Sequence, residues 1–188
     1  MKKILLGLLI FVGFYLNAQS SIYKGLLYGM NSKEAKSEFK LNKNDYKGIE
    51  IGNNFTYNIY SQNFTYDHDK LVSILLTPTG STFGQSYDDA VNYLTYTKTF
   101  LGDLGYEVFI EPEWWSSPQT FNSTNSKYGL VAFNKDKTII IQLYSMSYIL
   151  YGTTKYLVKL HIYKYDWWMN AYNKENDKQS TIKNKSGF

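Results

Sequence analysis

A short pattern that occurs twice limits what this chain can fold into more than any other feature. Gly29-Met30-Asn31-Ser32-Lys33-Glu34-Ala35 and Gly84-Gln85-Ser86-Tyr87-Asp88-Asp89-Ala90 share a Gly, four residues, an acid and an Ala. Each copy can open a helix. Asn31 with Glu34, and Ser86 with Asp89, stand at the spacing at which side chains satisfy the backbone N–H groups left over in a first turn. A similar strand follows each helix, Gly48-Ile49-Glu50-Ile51 and Gly105-Tyr106-Glu107-Val108, and later a turn, Asp69-Lys70-Leu71 and Asp136-Lys137-Thr138. The offset grows from 55 at the helices to 57 at the strands and 67 at the turns, which puts an insertion of about ten residues in the second copy, around 111–127.

The rest of each copy reads as antiparallel structure. Tyr87, Ala90, Val91, Leu94, Leu101 and Leu104 make one apolar stripe on the second helix, Tyr93, Tyr96 and Phe100 a second, and Gly105 is placed to end it. Ala35 and Phe39 are the inward residues of the first helix. Phe55, Tyr57 and Ile59 alternate with polar residues, as do Phe64 and Tyr66, and the segment 71–77 continues after a turn at 67–70. Segments 129–134 and 138–144 form a second hairpin, and 148–151 with 155–165 a third, turning at Gly152-Thr153. Asp166 caps a short last helix to Asn173, docked by Trp168, Ala171 and Tyr172. The expected fold is therefore α+β, two fused helix-plus-antiparallel-meander units with the helices on one side of the sheet. The pseudo-repeats run about 25–80 and 81–165 within a single domain 19–173, and the Asn/Lys-rich stretch 174–188 reads as a disordered polar tail.

The first eighteen residues have the composition of a secretory signal peptide. Lys2 and Lys3 precede an unbroken apolar run from Ile4 to Leu16, and Ala18 supplies a small residue at its polar edge. The run is short for a bilayer span, which takes about 20 apolar residues, so the expected product carries no stable membrane span once the leader is removed. The chain has no Cys, hence no thiol for a lipid anchor and no disulfides. A periplasmic or secreted location follows, with a fold held by packing alone.

The formal net charge of +4 comes from the two ends. Without the leader and the last fifteen residues, fourteen Lys face fourteen acids, scattered through the body. No basic stripe is present to neutralise a phosphate backbone, which excludes nucleic acid as a partner. The chain has no Arg and is rich in Lys, Asn, Tyr, Phe and Ile. Those residues have A/T-rich codons, so the number of tyrosines says nothing about a binding surface.

Gly29-Met30 followed by a helix bearing Glu34-Ala35, and then a meander of strands, resembles the small outer-membrane assembly lipoproteins of the SmpA/BamE kind. Two such units in tandem are similar in plan to the secreted β-lactamase inhibitor proteins. The resemblance covers 25–165 in plan and, in sequence, the Gly, acid and Ala of each helix start. It implies a protein that binds other proteins without catalysis. No site residue carries over from either family.

Residues that could do chemistry are few. Gly84-Gln85-Ser86-Tyr87-Asp88 lacks the second Gly of a nucleophile elbow, and Ser86 reads as a helix cap. His68 lies between Asp67 and Asp69 at a hairpin tip, and His161 beside Lys159 and Tyr163 on the wetter face of a strand. Neither has a zinc-site spacing, and no cofactor or metal is expected. Glu111-Pro112-Glu113-Trp114-Trp115 is the most suggestive string. Carboxylates at i and i+2 of an extended segment share a face roughly 6–7 Å apart, a separation near that used by glycosidases, and the indoles could bind a sugar ring. Trp114, Trp115, Glu111 and Glu113 are thus the binding candidates, with one indole expected to be partly exposed and to line a groove. The reading is an exported, noncatalytic binding or accessory protein whose partner is another envelope or extracellular protein or peptide. The alternative is a carbohydrate-binding or glycosidase-like envelope enzyme using Glu111 and Glu113.

Overall fold

The caps expected from the repeat are formed. In a computed structural model, which describes residues 20–51, 55–111, 118 and 129–186, Asn31 Oδ1 accepts from Lys33 N and Glu34 N while Glu34 Oε2 accepts from Asn31 N. This box opens helix α1, Ser32–Leu41. Ser86 opens α2, Tyr87–Asp103, its Oγ accepting from Asp89 N at 3.1 Å. Gly105 ends α2 with a φ of 79°. The repeat is visible in the backbone as well. Gly29 and Gly84 have φ of 86° and 70°, Gly48 and Gly105 of 58° and 79°, a region only glycine enters without a steric cost.

Among the described residues nine strands accompany these helices. A two-stranded ribbon pairs β1, Ser21–Tyr23, with β2, Leu26–Leu27. A seven-stranded antiparallel sheet contains β3 (Ile49–Glu50), β4 (Thr56–Asp67), β5 (Lys70–Thr79), β6 (Tyr106–Ile110), β7 (Leu130–Asn134), β8 (Ile139–Leu150) and β9 (Thr153–Lys164), in the order β3-β4-β5-β9-β8-β7-β6. The molecule is thus α+β. The strands expected at 55–59 and 64–66 are one strand, β4, with irregular register between Ile59 and Phe64. That irregularity keeps Tyr57, Ile59, Phe64 and Tyr66 together on one face, although their numbering changes parity.

The two Asp-Lys turns do not hold equivalent places, contrary to the sequence match. The first closes β4–β5 and the second joins β7 to β8. By position the partner of β4–β5 is β8–β9, because β5 and β9 are the adjacent inner strands. Each is also bridged to a helix entry: Gly29 N and Met30 O bond Leu71, and Gln85 N and O bond Tyr156. Among the described residues the second unit therefore contributes four strands to the seven-stranded sheet and the first unit three.

The sheet has two unlike faces. On the inner face Tyr57, Ile59, Leu71, Ile74, Leu76, Leu143, Val158 and Leu160 pack against Ala35 of α1 and Ala90, Tyr93, Leu94 and Leu101 of α2. Tyr57 Oη, buried there, donates to Val158 O at 3.1 Å, and burial pushes its pKa well up. The third helix, α3 (Tyr165–Ser186), packs on the outer face, where Trp168 joins Val131 and Ile140. α3 continues past Asn173, where its end was expected, through the polar stretch to Ser186. Lys, Glu and Gln are good helix formers, and adding residues to a helix already anchored by Trp168 costs little.

Candidate functional site

Glu111 follows β6 directly, and its Oε1 lies 2.6 Å from Lys98 Nζ of α2, with both side chains about half exposed. Such a pair in water contributes at most about 1 kcal/mol. Glu113, Trp114 and Trp115 lie outside the described residues, so the expected carboxylate pair and the indole groove are represented by Glu111 alone. His68 stands at the β4–β5 turn, its side chain 95% exposed and its Nε2 3.7 Å from Asp67. Four strands separate β4 from β6, which at roughly 4.8 Å per strand keeps His68 and Glu111 about 24 Å apart across the sheet. Ser86 is occupied as a cap. Among the described residues no group of three or more His, Asp or Glu is placed to hold a metal ion.

His161 differs from its expectation as a surface residue. It is half-buried on the outer face beside the part that α3 covers. Its ring meets Tyr144 edge-on at 5.4 Å and Tyr163 at 5.1 Å, and its Nδ1 is hydrogen-bonded to Tyr163 Oη. Tyr163 in turn stacks on Trp167 at 5.9 Å. Nε2 is buried without a hydrogen-bond partner. Burial, and after it the charge of Lys159, lower the His161 pKa to about 4, so the ring is neutral near pH 7. Strand alternation put His161 on the right face, but only the docking of Trp167 and Trp168 takes that face out of water.

Two surface features were not singled out from the sequence. One is a cleft of about 230 Å³ where the β4–β5 turn meets the start of α3, lined by Asp67, Lys70, Lys164, Asp166 and Trp167. Its two carboxylates and two ammonium groups balance, and Asp67 is already engaged by Trp167 Nε1 at 3.1 Å. The other is the corner where α2 meets β6. Phe100 is 39%, Leu104 59% and Val108 40% exposed there. Leu104, read as the last residue of the apolar stripe, is the C-cap of α2 and points to solvent. Among the described residues β6 pairs with β7 alone, which leaves its other backbone edge without a strand.

No protein-family model matches the chain, and comparison with curated proteins and with solved structures finds no match either.

Proposed function

We propose that this is an exported, noncatalytic binding or accessory protein whose partner is another envelope or extracellular protein, engaged at the α2–β6 corner. The observation that carries this reading is that, among the described residues, one edge of β6 has no paired strand and lies beside exposed Phe100, Leu104 and Val108. An unpaired edge offers a row of N–H and C=O groups to an added strand, and neighbouring apolar side chains give that strand something to pack on. The tandem plan, similar to that of protein-binding inhibitors, agrees with it. The glycosidase-like alternative is weakened by Glu111, whose carboxylate is held by Lys98.

The test is capture from an envelope extract by the protein and by its Val108→Lys and Leu104→Glu variants. Both positions are exposed, so the variants should keep the parent melting temperature while losing most of the captured partner. Unchanged capture by both would remove the corner from the proposal. Export is tested separately, by intact mass of the protein recovered from its host: loss of about the first eighteen residues is expected.

A further inference from the structure

The β8–β9 hairpin ends in a way its sister does not. With Leu71 laid on Tyr156, the residues bridged to the two helix entries, the first hairpin turns two residues away, at Asp69, and the second four residues away, at Gly152. Pairing with β7 stops at Leu143 and pairing with β5 at Leu160. The cross-strand pairs Ile149↔Thr154 and Leu150↔Thr153 therefore project past the neighbouring strands of the sheet. On this projection Ile149 is 77%, Leu150 38% and Tyr151 99% exposed.

Three observations say that folding does not require these side chains. The equivalent turn of the first unit reads Asp67-His68-Asp69-Lys70, entirely polar. Alternation along β8 puts Ile149 and Leu150 on opposite faces, so no single core could bury both. Tyr151 has a φ of 50°, where an aromatic residue is strained and Asn or Gly is preferred. A tip apolar on both faces and at its end suits a medium that surrounds it. A flat partner would cover one face and leave the other wet.

Charge narrows the choice of medium. From Lys137 to Tyr165 the chain contains Lys but no Asp or Glu. Lys155, opposite Tyr148, and Lys159, opposite Tyr144, lie on the outer face behind Leu150, while Asp88 and Asp89 belong to α2 on the inner-face side. Apolar side chains leading and ammonium groups behind them match the layering of an anionic lipid surface. Depth is limited, because the outward N–H and C=O groups of a two-stranded ribbon cannot follow it into hydrocarbon.

We propose that the end of the β8–β9 hairpin is a lipid-contact finger: Ile149, Leu150 and Tyr151 enter the headgroup–acyl boundary of an anionic leaflet, and Lys155 meets its phosphates. Contact of this kind is peripheral and reversible. It does not depend on the protein partner proposed above, and among the described residues no helix is long and apolar enough to cross a membrane.

The experiment is flotation of the protein recovered from its host with phosphatidylcholine vesicles, alone or with about 30% phosphatidylglycerol. The parent should float with the anionic vesicles. An Ile149→Ser, Leu150→Ser, Tyr151→Ser triple variant should bind on the order of tenfold more weakly or worse. Lys155→Glu should abolish the preference for anionic lipid. A Tyr151→Trp variant should show blue-shifted emission shielded from iodide when vesicles are added. Any segment outside the hairpin is common to parent and triple variant, so equal flotation of the two overturns the proposal, as does a parent that binds neither vesicle. If the parent ignores lipid while the triple variant alone loses capture of a protein, a protein pocket replaces the membrane as the occupant.

Discussion

The two central hairpins occupy equivalent places in one sheet and finish oppositely. The β4–β5 turn is charged and held down: Asp69 Oδ1 accepts from Ser32 N at 3.1 Å, and Asp67 Oδ2 from Trp167 Nε1 at 3.1 Å. The β8–β9 turn is apolar and exposed, and it reaches two residues further. Where they run side by side the hairpins are alike, with Leu76 directly opposite Leu160 at the centre of the sheet. What is common to both is set by packing. What differs at the tips is free of that constraint and open to function.

The largest expected effect tests the likeness. Leu76 and Leu160 are 1% and 3% exposed, so Leu76→Ala and Leu160→Ala should each cost about 2–5 kcal/mol in urea unfolding. Being in contact, their effects should not add. A cost below about 1 kcal/mol at one position would deny that the hairpins share one core.

The next effect belongs to the second hairpin alone. His161 has a lowered pKa, about 4 against an ordinary 6.5. Above pH 6.5 the ring is neutral in both states and contributes no pH dependence. Between pH 6.5 and about 4 the unfolded chain takes up a proton that the folded one refuses, so stability falls as the pH falls. The slope approaches at most about 1.4 kcal/mol per pH unit, and below about pH 4 this contribution levels off. His161→Gln should flatten the stability profile in that window; an unchanged profile would mean that the imidazole protonates freely in the folded protein.

The smallest effects have opposite signs at the two tips. Asp69→Ala removes the acceptor of Ser32 N and should destabilise by about 1 kcal/mol. Tyr151→Asn relieves an aromatic residue at positive φ and should stabilise by roughly 0.5 kcal/mol. Denaturation midpoints for the two variants decide both. A Tyr151→Asn variant less stable than its parent would show that the exposed ring contributes to the fold after all.

Local chemistry was legible in the sequence. Asn31, Ser86 and Gly105 announce their roles because a cap or a left-handed residue depends on neighbours within a turn of chain. The α+β class followed from the repeat for the same reason. Features set by which strands become neighbours were not legible. The irregularity after Ile59 hides the common face of β4. The true partner of the first hairpin depends on β9 lying next to β5, and the burial of His161 on a helix arriving from the end of the chain. Of the candidate site residues only Glu111 is described, and its ion pair with Lys98 joins a strand to a helix across 13 positions of sequence, a contact no local pattern announces.

The strand order also dictates when the molecule can become whole. The strand that joins the two halves, β9, is the last to be synthesised, and its contact with β5 spans about eighty residues of chain between Leu76 and Leu160. Until Lys164 has emerged, β3-β4-β5 and β6-β7-β8 are separate three-stranded pieces, each ending in a raw edge that invites pairing with another chain. A product cut short of β9 is therefore a source of aggregation as well as a loss of stability, and a nascent chain has reason to be kept unfolded until its last strand is made.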